Sequence, residues 1–174
     1  MPLNISRRRL WLSLIAPLTG AAAEPVWGAD SIQNWKTSKE FTLAVADAMP
    51  EAKFDFRPND EEMKFAELIA HIAGSQAFRF GQIADEKPVL GLQQPSSKAE
   101  ILIFLVKSFD YCISKLGVFT AAQMDRQFKV DWYGRPSVSG RQLVLGMFTH
   151  TAHHRGQAEV YLRACGVKPP AYRF

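Results

Sequence analysis

The stretch from Ser139 to Gly166 constrains this chain more than any other, because it reads as one uninterrupted helix with two histidines on its inner face. Ser139 with Gln142 three residues on forms a capping box at its start. Gly166 supplies a C-terminal stop, and Pro169-Pro170 prevents continuation. Leu143, Met147, Ala158, Tyr161 and Cys165 recur at helical spacing. Continued through its middle, that stripe passes over His150 and His154, which are therefore neighbours one turn apart. A buried imidazole must be hydrogen-bonded, paired or bound to metal. The i, i+4 spacing serves two readings equally: a pair of hydrogen-bonded core histidines, or two ligands of one metal ion.

Three further helices are expected upstream. Asp30 or Ser31 can cap the first, which runs to Met49 with Ile32, Trp35, Val45 and Met49 on a loose apolar face, and Pro50 ends it. The second spans about Glu61 to Asp85, its core side marked by Phe65, Leu68, Ile69, Ile72 and Ile83, with Phe78 and Phe80 adding aromatic bulk. His71 lies within that stripe and, taken alone, reads as a hydrogen-bonded core residue. The third begins at a capping box, Ser97 with Glu100, and carries Leu102, Leu105, Phe109, Ile113 and Leu116 to a stop at Gly117. Between Met124 and Val138, the alternation of Phe128, Val130 and Trp132 and the turn Tyr133-Gly134-Arg135-Pro136 read as a long loop with a short hairpin. Four helices with single apolar faces argue for an all-α fold, a four-helix bundle, with that long loop before the last helix. Long loops often carry function, which makes Trp132 and Tyr133 candidate pocket walls.

The N-terminus reads as a targeting segment. Arg7, Arg8 and Arg9 precede a short apolar run from Leu10 to Leu18, and Ala21-Ala22-Ala23 offers a cleavage site. Paired arginines before a moderately apolar run resemble a twin-arginine signal, so residues 1–23 are expected to be removed on export to the periplasm. Ala29 is an alternative cleavage point, and an uncleaved anchor is the remaining option. Residues 24–174 then form one domain. Charge bears on partners only once this segment is set aside: the chain has 21 basic and 17 acidic residues, and residues 1–23 hold three of the former and none of the latter. The near-neutral remainder excludes nucleic-acid binding driven by charge. Cys112 and Cys165 are too few for a disulfide framework and read as small buried residues, although an oxidising compartment permits one bridge.

All four histidines fall on two expected helices. If those helices face each other, His71, His150 and His154 converge, and three imidazoles with an open position suit zinc, nickel or ferrous iron. His153 is offset by about 100° along the helix and flanks the group. The order of features resembles the DinB-like superfamily, which includes metal-dependent thiol transferases. The matching pieces are Phe56-Arg57-Pro58, the run Met63 to Ile72 around His71, the run His150 to Gln157, and Tyr161 to Tyr172. The resemblance implies His71, His150 and His154 as ligands of a divalent metal ion, and a four-helix bundle that is often a homodimer. Lys64 departs from the polar cap usual at the family's second helix, and Asp60 is the expected substitute.

The leading expectation is thus a metal-dependent transferase, adding a thiol to an electrophile, or a hydrolase acting through metal-bound hydroxide. The alternative is a non-catalytic periplasmic protein that binds metal or a small ligand. No separate nucleophile stands out. His153, Arg155, Gln157 and Glu159 are the candidates for support around the metal: His153 or Glu159 as proton shuttle, Gln157 as partner for a ligand's second nitrogen, and Arg155 as anion site or helix lock. Gly156 is expected to permit close helix packing.

Overall fold

A computed structural model describes residues 27–87, 97–130 and 136–173. Four long helices dominate it: α1 (Ala29–Ala48), α2 (Phe65–Ala84), α3 (Lys98–Leu116) and α5 (Gly140–Ala164). A one-turn 3-10 helix (Glu51–Lys53) follows α1. A short helix α4 (Ala121–Asp125) and two strands, β1 (Gln127–Lys129) and β2 (Ser137–Ser139), precede α5. The expected bundle and hairpin are both present. The signal segment with Arg7, Arg8 and Arg9, and the turn carrying Trp132 and Tyr133, lie outside the described residues. No helix among the described residues is long and apolar enough to cross a membrane.

The helices pack as a square in the order α1, α3, α2, α5, which puts α1 and α2 on a diagonal. The segment between them therefore crosses one end of the bundle, and it does so by burying Phe54 against Phe65. That crossing also caps α2. The Phe56 and Phe54 carbonyls accept from the N–H groups of Phe65 and Ala66, and the Glu67 carboxylate accepts from Lys64 N–H at 2.9 Å. The helix starts at Phe65, later than the expected Glu61, and Asp60 is not its cap; that carboxylate pairs with Arg57 instead. Backbone carbonyls brought in by tertiary packing replace the side-chain cap the sequence lacks. At α1, too, neither Asp30 nor Ser31 is the cap: the helix starts at Ala29 after Gly28, which has no side chain to offer.

The last helix starts as its sequence dictates. Ser139 Oγ accepts from Gln142 N–H at 3.2 Å, and Gln142 Oε1 accepts from Ser139 N–H at 2.9 Å. Gly166, at φ 75°, occupies the left-handed position that ends it. A second capping box, Thr120 with Gln123, starts α4, a helix the loop reading passed over. Helix α4 and α5 meet so closely at Gly140 that a Cβ there would lie 2.6 Å from the Gln123 carbonyl oxygen. Gly140→Ala is accordingly expected to lower stability by about 1–3 kcal/mol, read as a lower denaturant midpoint at unchanged slope. Gly156 is the opposite case: a Cβ there meets nothing within 4 Å, so it is not a packing glycine within this chain.

The core is drawn from all four long helices and holds Trp35, Phe41, Phe65, Phe80 and Phe109. Phe80 is fully buried, whereas Phe78 points outward and is 53% exposed. On α3 the buried line runs through Ile101, Leu105, Cys112 and Leu116, leaving Leu102 and Ile113 at its margins. Cys112 is buried and Cys165 half-buried, and both are free thiols. Beneath the α2–α5 seam lies a polar chain that crosses three helices. Thr151 Oγ1 donates to Gln76 Oε1 (3.3 Å), Gln76 Nε2 donates to Ser108 Oγ (2.7 Å), and Ser108 Oγ donates to the Ala73 carbonyl (2.7 Å). Gln76, Ser108 and Thr151 are each fully buried.

Candidate metal centre

Helices α2 and α5 run antiparallel: Tyr161 near the end of α5 donates to the Met63 carbonyl just before α2, while Gln76 meets Thr151 farther along. This alignment brings His71 opposite His150 and His154. His150 Nε2 lies 3.1 Å from His71 Nε2 and 3.0 Å from His154 Nε2. The three rings offer ligand atoms that all lie within 4.8 Å of one another. They sit at the rim of the seam and not deep in the core: His71 and His150 are half-buried, and His154 is 9% exposed.

The outer nitrogens decide what the inner ones can do. His154 Nδ1 faces Gln157 Oε1 at 2.6 Å, so it carries the proton and donates, leaving the neutral ring's Nε2 as a lone pair aimed at its neighbours. His71 Nδ1 has the Ser75 hydroxyl at 3.5 Å. His150 Nδ1 is buried with no partner. One proton on His150 Nε2 can serve one neighbouring lone pair well but not two, so protons alone leave the group under-satisfied. Three converging lone pairs fit a divalent cation: bonds of about 2.0–2.1 Å in tetrahedral array place nitrogens about 3.3 Å apart, close to the two spacings that His150 makes, while all three ligand atoms lie within 4.8 Å of one another.

Burial also keeps the rings neutral. It lowers the pKa of all three, and the neighbouring His154, His71 and His153 push His150 further, to about 4. For His154 the bond to Gln157 opposes the shift. The sign of the linkage follows. In the metal-free protein the folded state resists protonation below the ordinary histidine pKa of about 6.5, while the unfolded chain accepts it. Stability is thus intact above that pH and falls between it and about 4. Allowing for solvent screening, His150 accounts for about 1–2 kcal/mol of that loss. The melting temperature of chelator-treated protein is expected to drop between neutral pH and pH about 4.5, and to drop less in His150→Gln.

Of the supporting candidates, Gln157 is brought to the group. His153 is exposed beside it, with its ring 4.9 Å from that of His154. Arg155 is not at the centre: it faces α1, where Nη1 donates to Ser38 Oγ (3.1 Å) and Thr42 Oγ1 (3.3 Å). Glu159 pairs with Arg163 at 3.6 Å, one turn further along the helix. Ser75 was not singled out from sequence, although it stands four residues after His71, where a helix would place it alongside. Gln76 and Thr151 had a clearer signal, since each is a polar residue on an otherwise apolar stripe.

Comparisons with known proteins agree with this architecture. A family model described as the DinB superfamily matches residues 34–158. An uncharacterised protein of Bacillus subtilis (strain 168), YjoA, is 25% identical over 138 residues, covering 78% of this chain and 88% of its own. The crystal structure of that DinB-like protein superposes with a TM-score of 0.66 over 82% of this chain and 96% of its own, at 21% identity. A DinB-like protein from Bacillus cereus ATCC 10987 gives 0.68 over 83% and 97%, at 18% identity. With its helical bundle and three-histidine cluster, the chain belongs to the DinB superfamily.

Proposed function

We propose that this protein holds one divalent metal ion on His71, His150 and His154 and uses it to activate a thiol or water for attack on an electrophile. The observation that carries the reading is the meeting of three imidazole Nε2 positions, one of them on a ring whose Nδ1 is committed to Gln157. A bound ion supplies Lewis acidity, which lowers the pKa of whatever fills an open coordination position. The chain's own groups do the rest. Gln157 fixes the ring orientation of His154, and the Ser75 hydroxyl stands 3.5 Å from His71 Nδ1. The exposed imidazole of His153 is the group placed to carry a proton away, and the Cys112 thiol, buried and pushed up in pKa, is not available as a nucleophile.

Export and pairing belong to the same reading. The twin-arginine pattern at residues 7–9 supports a periplasmic protein, with residues 24–174 as the exported domain. Cleavage after Ala23 keeps Trp27, whose indole N–H donates to Met124 Sδ at 3.2 Å; cleavage after Ala29 would discard it. A homodimer is inferred from family resemblance alone. The function is tested on protein purified from the periplasm without a histidine tag. Elemental mass spectrometry is expected to find about one divalent ion per chain, and the loaded protein is expected to turn over a panel of thiol-plus-electrophile pairs or esters. Metal without turnover would leave a binding protein, and no metal after reconstitution would leave a hydrogen-bonded histidine cluster.

A further inference from the structure

Arg155 poses a problem the metal centre does not answer. It is 9% exposed, yet no carboxylate among the described residues lies within ion-pairing distance of it. Its hydrogen bonds there are two, both from Nη1 to the neutral hydroxyls of Ser38 and Thr42, and the guanidinium lies over the Phe41 ring at 4.5 Å. Neither Nε nor Nη2 has an acceptor among those residues, so part of the guanidinium fork is left to donate elsewhere. Glu159 supports the charge at a distance but is shared with Arg163, with which it pairs at 3.6 Å. A largely buried cation whose direct hydrogen bonds go only to neutral hydroxyls gains from an anion that completes it.

The side chain lines a cleft between α1 and α5 of about 90 Å³, whose other walls include Asn34, Thr37, Tyr172 and Arg173. Asn34 and Phe148 also line a second cleft, of about 160 Å³, closed by Trp27, Trp35 and Val144. One end of the combined groove is cationic and hydrogen-bonding, and the other is aromatic and apolar. We propose that this groove is a binding site for a small organic carboxylate with a ring-sized apolar tail, the carboxylate on Arg155 with support from Arg173, which also pairs with Glu40 at 3.7 Å, and the tail against Trp35 and Phe148. A guanidinium fork matches a carboxylate's two oxygens. An apolar wall with a few convergent polar groups is the usual make-up of a small-molecule site, and clefts below its usual ~300–1,000 Å³ limit the ligand to about a dozen heavy atoms. The site is distinct from the histidine cluster: Arg155 directly follows His154 in the chain, but the helix turn of about 100° aims it at α1 while His154 faces α2.

Isothermal titration calorimetry of the full exported protein with 3-phenylpropionate and its neutral amide tests this, before and after metal removal by a chelator. The carboxylate is expected to bind at least about tenfold more tightly than the amide, since charge-assisted bonds are the strong ones, and chelation is expected to change neither affinity. Arg173→Gln is expected to weaken the carboxylate several-fold and leave the amide alone, whereas Phe148→Ala weakens both. Arg155→Gln, which keeps hydrogen-bonding capacity toward α1, is expected to abolish the preference for the charged form. Equal affinity of carboxylate and amide in the unmutated protein would overturn the site, as would no measurable binding of either at millimolar concentration. So would binding lost on chelation, which would place the carboxylate on the metal. The first and last comparisons need no variant, and a failure of the metal reading would leave them intact.

Discussion

In His71→Ala, His150→Ala and His154→Ala, the divalent ion is expected to be absent after purification and dialysis, whereas His153→Ala retains it. The contrast rests on geometry. The first three rings present nitrogens within 4.8 Å of one another, while His153 is exposed and touches the group only through the ring of His154. Loss of an orienting partner typically lowers metal affinity about 10–100-fold, so loss of a ligand is expected to exceed that. Gln157→Leu supplies the calibration: it keeps all three ligands and removes only the acceptor on His154 Nδ1, and is expected to fall within that range. Competition titration against a chromophoric chelator measures all five. Equal retention in the three ligand variants and His153→Ala would sink the assigned triad.

The second large effect concerns stability. Gln76→Leu is close to volume-conserving, but it breaks the chain that joins α5, α2 and α3. Ser108 can still donate to the Ala73 carbonyl, but Thr151 loses its acceptor and the bond from Gln76 to Ser108 disappears. Leaving a buried hydroxyl unsatisfied and removing a second buried bond is expected to cost about 2–4 kcal/mol. The double variant Gln76→Leu with Thr151→Val is expected to recover part of that, because both partners are then apolar. Urea unfolding of the metal-free forms measures the cycle; additive losses would show that the two side chains do not act as a unit. The network adjoins the metal centre in sequence, with Thr151 next to His150 and Gln76 next to Ser75, so it fixes the register of α2 against α5 as well as their stability.

What local chemistry encodes was legible without coordinates. The reciprocal Ser139–Gln142 cap, the Gly166 stop and the apolar stripes of α2 and α5 depend on residues within a turn or two of each other, and they appear as read. The short helix α4 was equally encoded, in Thr120 and Gln123, and was overlooked beside the stronger strand alternation that follows it. The i, i+4 spacing of His150 and His154 placed two imidazoles on one side of one helix. That neighbouring relation is a property of the helix itself.

Other features belong to the packing alone. Which helix faces α5 is set by the square arrangement of α1, α3, α2 and α5, and only that arrangement brings His71 to the pair. The start of α2 was misplaced because its cap is the backbone of Phe54 and Phe56, a tertiary partner that no local motif announces. Arg155 directly follows His154 in sequence, but a helix turns about 100° per residue, and that turn delivers its side chain to α1, where it bonds Ser38 and Thr42. Sequence by itself therefore determined the helices, their inner faces and the candidate donors, since these arise from short-range periodicity. Tertiary structure alone decided which donors converge, which buried groups are left without partners and where the clefts lie, because those depend on pairs of residues far apart in the chain and on the register between helices.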